Sequence, residues 1–127
     1  MIVEIKSTPQ SGIRSNQSGD WYYDDDSITV HVLETLPPES QLAIAVHEMT
    51  EAFLCRRAGI SDDAIVAFDD QYEREREEGK HPNNTEPGDA EDSIYLSQHQ
   101  AATHCERAVC HALDLAWAEH DRSVNGS

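Results

Sequence analysis

The sequence predicts an α+β fold: a small antiparallel three-stranded N-terminal sheet packed by three helices. Three observations predict it. Up to Leu33 the runs between loops alternate apolar and polar side chains, the two-residue period of a strand. After Pro37 and Pro38 the apolar positions recur at helical spacing instead. The 127 residues, 38% of them hydrophobic, suffice for one core, so a single domain over 1–127 is expected.

"MIVEIK" places Ile2 or Val3 and Ile5 at apolar positions and predicts a strand over 2–6. "STPQSGIRSNQSG" is rich in Ser, Gly, Asn and Pro and reads as a loop. "DWYY" and "SITVHVL", separated by "DDD", predict a hairpin of strands 20–24 and 27–33 with an acidic turn. In the second strand Ile28, Val30 and Val32 share one face, and Thr29, His31 and Leu33 share the other. The proline pair suits a helix start, so the first helix is expected over 39–58, with Gly59 as its C-cap. Ser61 caps a second helix over 62–78, with Asp62 and Asp63 in the first turn, where the helix dipole favours anions. Its apolar side is Ile65, Phe68 and Tyr72, and Gly79 stops it. "GKHPNNTEPGDAEDS" is a loop, and a third helix is expected over 93–120, with residues 122–127 frayed.

Twenty-five acids against nine bases give a net charge of −16. That balance argues against phosphate-backbone binding, which needs Lys and Arg to displace counterions. It is compatible with a cation site, a basic protein partner or plain solubility. Cys55, Cys105 and Cys110 are odd in number and lack a CxxC pair, so free thiols are expected. No apolar run approaches the roughly 18 residues of a membrane span, and the start does not read as a signal peptide. The chain reads as cytoplasmic.

"AIAVHEMTEAFLC" carries the chemistry. It matches the helical zinc motif His-Glu-x-x-His, except that Glu51 stands where the second histidine belongs. His47 and Glu51, one turn apart, can reach one point in space. Glu48, next to the first ligand, can serve as a carboxylate base. A carboxylate in place of the second imidazole still suits zinc, and shifts preference towards Mn²⁺ or Fe²⁺. His99 and Glu106, seven apart on the core-facing stripe of the third helix, supply the further ligands, Glu106 either on the metal or behind a ligand. His104 and His111 point away from that stripe. The competing reading of the same residues is a metal-free polar cluster in which His47 bonds Glu106. Asp69 and Glu73 read as salt-bridge partners of Arg56 or Arg57 in preference to ligands, and Glu86 and Asp89 equally as a solvated loop or as a turn able to close over the site.

A β-rich segment ending in "ITVHV", followed by a helix with this motif, resembles the zincin metallopeptidases over residues 27–58. The resemblance implies a minimal zincin-like fold, an edge strand that binds extended peptide, and Glu48 as general base. Glu51 departs from that family's pattern. A longer resemblance, to small phage- and prophage-encoded proteins, rests on "HEMTEAFLCRRAGI", "FDDQYE" and "EPGDAEDSIYLSQHQAATHCER". It implies that His47, Glu48, Glu51, Asp69, Glu73, Glu86, Asp89, His99 and Glu106 act together, and carries no reaction with it.

Three functions compete. The first is a metal-dependent hydrolase acting on a peptide, amide or ester carbonyl, with His47, Glu51, His99 and Glu106 on the metal and Glu48 as base. The second is a Mg²⁺-dependent nucleotide pyrophosphohydrolase using Glu48, Glu51, Glu86 and Asp89. That assignment conflicts with Pro87 and Gly88, which put the second pair in a turn. The third is an acidic inhibitor that mimics DNA or covers a basic host protein, without an essential metal.

Overall fold

The computed structural model describes residues 1–14, 17–83 and 85–125. Three strands, β1 (Ile2–Thr8), β2 (Gly19–Tyr23) and β3 (Ser27–Leu33), precede four helices. These are α1 (Pro38–Arg57), α2 (Asp62–Glu77), α3 (Leu96–Ala112) and α4 (Trp117–Asn125). The α+β class stands. The sheet, however, is mixed.

β2 and β3 form the expected antiparallel hairpin, with Trp21 opposite Val30 and Tyr23 opposite Ile28. The acidic turn is organised by Asp24, whose carboxylate accepts the backbone N–H groups of Asp26 and Ser27. β1 runs parallel to β3 on its other side, so the order is β1-β3-β2 and the expected all-antiparallel sheet is corrected. The physical reason is the connection from Thr8 to Gly19. It is long enough to carry the chain across the sheet end, whereas a tight hairpin would have forced β1 against β2 in reverse.

This order corrects a second expectation. β3 sits in the middle of the sheet with both edges paired, so it offers no peptide-binding edge. The outer edge of β2 is blunted as well. The Arg14 guanidinium donates to the Trp21 carbonyl, and the Tyr23 N–H donates to Asp62 at 3.1 Å.

α1 packs across β2 and β3. Ile28, Val30 and Val32 are at most 2% exposed beneath it, joined by Trp21, Ile44, Ala52 and Cys55 in one apolar cluster. Val3 and Ile5, on the same sheet face by register, extend past the helix and stay exposed. Gly19 lets the helix settle close to the sheet: a Cβ there would come 2.8 Å from Ile44 and 3.0 Å from Glu48. α1 ends at Gly59, with φ +75°, and Ser61 caps α2 through the Ala64 N–H.

The single helix expected over 93–120 is two helices. α3 closes with Asp114 at φ +54°, and the Leu115 N–H reaches back to the Cys110 carbonyl. The chain reverses there, and α4 returns to the core rather than fraying at 122, its Val124 packing on the apolar cluster. Residues 126–127 of the expected frayed tail lie outside the described ones. Among the described residues no helix is long and apolar enough to cross a membrane.

Candidate metal centre

The site lies between α1 and α3, on the side of α1 next to the apolar cluster. Helical geometry sets the first contact: one turn separates His47 from Glu51, and His47 Nε2 lies 3.2 Å from Glu51 Oε2. α3 brings His99 to the same oxygen, with Nδ1 at 2.7 Å. The other oxygen of Glu51 accepts the Trp21 indole N–H at 2.8 Å, which fixes the carboxylate from the sheet side. The His47 and His99 rings meet edge to face with centroids 4.9 Å apart. All three residues are buried, at 5–6% exposure.

Behind His47 lies a second layer. Its Nδ1 is 2.8 Å from Glu106 Oε1, although not aligned for a hydrogen bond. The other Glu106 oxygen is 2.5 Å from His120 Nε2, and His120 Nδ1 is 2.9 Å from Ser40 Oγ. Imidazoles and carboxylates thus alternate from Ser40 in the core to His99. On the far side, His99 Nε2 lies between Glu86 Oε2 at 3.1 Å and Asp89 Oδ1 at 3.2 Å, aligned with neither.

The electrostatics follow from burial and charge. Burial would lower the His47 and His99 pKa values, but the carboxylates around each reverse this and raise both above the ordinary imidazole value. Burial would raise Glu51, but hydrogen bonds and charge from the two histidines hold it far below the usual carboxylate range. Without a ligand the cluster is therefore an ionised carboxylate between two imidazolium groups. A divalent ion with two neutral imidazoles brings the same charge to the same place, so the donor set fits a cation. One donor atom each from His47, Glu51 and His99 lie within 4.8 Å of one another, near enough for small side-chain movements to bring them onto one ion.

A cavity of about 580 Å³ opens over this cluster, lined by His47, Glu48, Glu51, His99 and Glu106 together with Asp69, Glu73 and Glu86. Glu48 faces it half-buried. Burial, then the charge of Glu51, raises its pKa well above the ordinary value. Cys55, one turn past Glu51, is pushed up to about 12 by burial and lies outside the donor group of His47, Glu51 and His99.

The structure thus brings the expected residues together, but in two ranks. His47, Glu51 and His99 converge, while Glu106 sits behind His47 rather than among them. Asp69 does not pair with Arg56 or Arg57. It accepts the Tyr95 hydroxyl at 2.7 Å, and burial pushes its pKa up to about 6. His104 and His111 are exposed, as expected. Trp21, Tyr95 and His120 are participants that sequence reasoning missed. His120 stands fourteen residues after Glu106, so it shares that stripe of a helix but lies two heptads away until the chain reverses. No family model, curated protein sequence or solved structure matches the chain.

Proposed function

We propose that the chain is a metal-dependent hydrolase holding one divalent ion, zinc in the first place, on His47, Glu51 and His99. The observation that carries the reading is the convergence of three buried donor groups at the floor of a cavity whose wall includes Glu48. A divalent ion there supplies Lewis acidity towards a carbonyl and brings the pKa of a water to about 7.

The chain's own residues do the rest. Trp21 fixes the Glu51 carboxylate from the sheet side, and Glu106, held by His120, orients the His47 ring from behind, the usual role of an outer carboxylate. Glu48 takes the proton of the attacking water. The paired edges of β3 and the blunted edge of β2, the two strands that reach the cavity, argue against strand addition beside it as the way a peptide would dock. The substrate is therefore an amide or ester small enough, or exposed enough, to reach the cavity. The zincin likeness is one of local motif and function in this reading.

The test is metal content by elemental analysis, with turnover of fluorescent casein and of a nitrophenyl ester. Glu48→Gln should keep one equivalent of metal and lose hydrolysis by about 10²–10⁴-fold. Loss of the metal in that variant would make Glu48 a ligand and sink the assignment. The pyrophosphohydrolase alternative requires an all-α scaffold that this three-stranded sheet does not provide. The acidic inhibitor reading draws on the net charge of −16 and on the exposed Asp24, Asp25 and Asp26. A metal-free protein that binds a basic partner tightly would favour it.

A further inference from the structure

His99 faces carboxylates with both of its ring nitrogens, and only one of those directions is used by the centre described above. Nδ1 points inward to Glu51. Nε2 is buried, without an aligned hydrogen-bond partner among the described residues, between the carboxylates of Glu86 and Asp89. One donor atom each from Glu86, Asp89 and His99 lie within 4.8 Å of one another, the same closeness as in the inner set. The turn carrying these acids is seated on the ring: Pro87 and Gly88 are buried, and a Cβ at Gly88 would fall 2.5 Å from His99 Cγ and Nδ1. Only glycine allows the turn to lie this close.

The two positions differ in access. The side chains of Glu86 and Asp89 are 36% and 60% exposed, whereas those of His47 and Glu51 are 7% and 8% exposed. They also compete for one group. A neutral imidazole has one N–H and one lone pair. The inner position needs the lone pair on Nδ1. The outer position needs it on Nε2, with the Nδ1 proton donated to Glu51, the carboxylate–histidine–metal arrangement.

We propose that Glu86, Asp89 and His99 Nε2 form an outer divalent-cation position, mutually exclusive with the inner one and serving to load it. This rests on the metal reading of the inner site. A cation arrives at the exposed carboxylates and displaces the Nε2 proton of the His99 imidazolium to solvent, Nδ1 keeping its proton towards Glu51. It passes inward as that proton moves from Nδ1 to Nε2 and the His47 imidazolium releases its own proton to solvent. With two carboxylates and one imidazole, the outer position is the harder of the two in its ligand preference.

The test uses the full chain with Zn²⁺ as probe, followed by stopped-flow competition with a chromophoric chelator and by native mass spectrometry. In Glu86→Gln/Asp89→Asn the association rate should fall by about tenfold or more, while the equilibrium affinity changes by less than about threefold. Asp25→Asn/Asp70→Asn removes the same charge from exposed positions and should change the rate by less than about threefold, which separates loading from long-range steering. His47→Gln removes an inner ligand only and should still take up one zinc, held about 10²-fold more weakly. Wild type that binds one ion, with an unchanged rate in the double variant and no uptake by His47→Gln, overturns this inference and leaves the inner site standing. Wild type that binds two ions at once overturns the exclusive use of His99. Wild type that binds none brings down both readings. If His47→Gln does not fold, the rate comparison decides alone.

Discussion

Helix α1 is buried on two sides by opposite means. Towards the sheet, Ile44, Ala52 and Cys55 pack on Trp21, Ile28 and Val30 in an apolar seam. Towards α3, His47 and Glu51 meet His99 and Glu106 in a polar one. The apolar seam stabilises the fold by removing surface from water. The polar seam has to overcome the desolvation of several ionisable groups, and replacing such a cluster by apolar residues is often neutral or stabilising. Stability alone does not call for it. The comparison teaches that one helix anchors itself with one face and holds reactive groups in place with the other.

The largest expected effect breaks the polar seam unevenly. Glu51→Ala leaves two imidazoles without their shared carboxylate, and should cost about 3–5 kcal/mol in urea denaturation of the metal-free protein, with metal uptake lost. The matching triple variant, His47→Leu/Glu51→Met/His99→Leu, should also lose the metal yet unfold within about 1 kcal/mol of wild type or later. A triple variant as unstable as Glu51→Ala would show that the polar seam is a stabilising element and erase the contrast. On the other face, Ile28→Ala should cost about 2–5 kcal/mol while the folded fraction still binds one equivalent of metal. Loss of metal affinity in that variant, at full folding, would mean that the two seams are not separable.

These contrasts also show why part of the molecule was legible from its sequence. The pairing of His47 with Glu51 is local, because helical spacing alone brings them together. The stripe shared by His99 and Glu106 is local in the same sense, and both were readable. Trp21 and Tyr95 reach the site through packing between distant elements, which alternation and helical periodicity do not encode. His120 depended on the reversal at Asp114, a non-glycine residue at positive φ within "HALDLAWAEH", where the apolar pattern continues unbroken. The strand positions were readable because alternation marks which side chains share a face. The direction of β1 was not, because alternation is the same for a parallel and an antiparallel neighbour, and the connection before β2 permits either.

Asp69 lies at the border of the two seams and gives the smallest effect. Burial raises its pKa to about 6, and the Tyr95 hydroxyl offsets this only in part. An unfolded aspartate titrates near ~3.9, so between these values the folded state binds the proton more tightly. Its contribution to stability is therefore greatest below about pH 4, falls as pH rises to about 6, and stays low above, by an amount on the order of 3 kcal/mol. Asp69→Asn should remove that fall, seen as a flatter profile of unfolding free energy between about pH 4 and 7. An unchanged profile would place the pH dependence elsewhere.

The central claim is the ligand set of the inner position. X-ray absorption at the zinc edge, on protein loaded with one equivalent of Zn²⁺, reads it directly. The account predicts two imidazole nitrogens at about 2.0–2.1 Å, at least one carboxylate oxygen at about 2.0–2.2 Å, and no sulfur. A single imidazole, or a sulfur scatterer at about 2.3 Å, would contradict it.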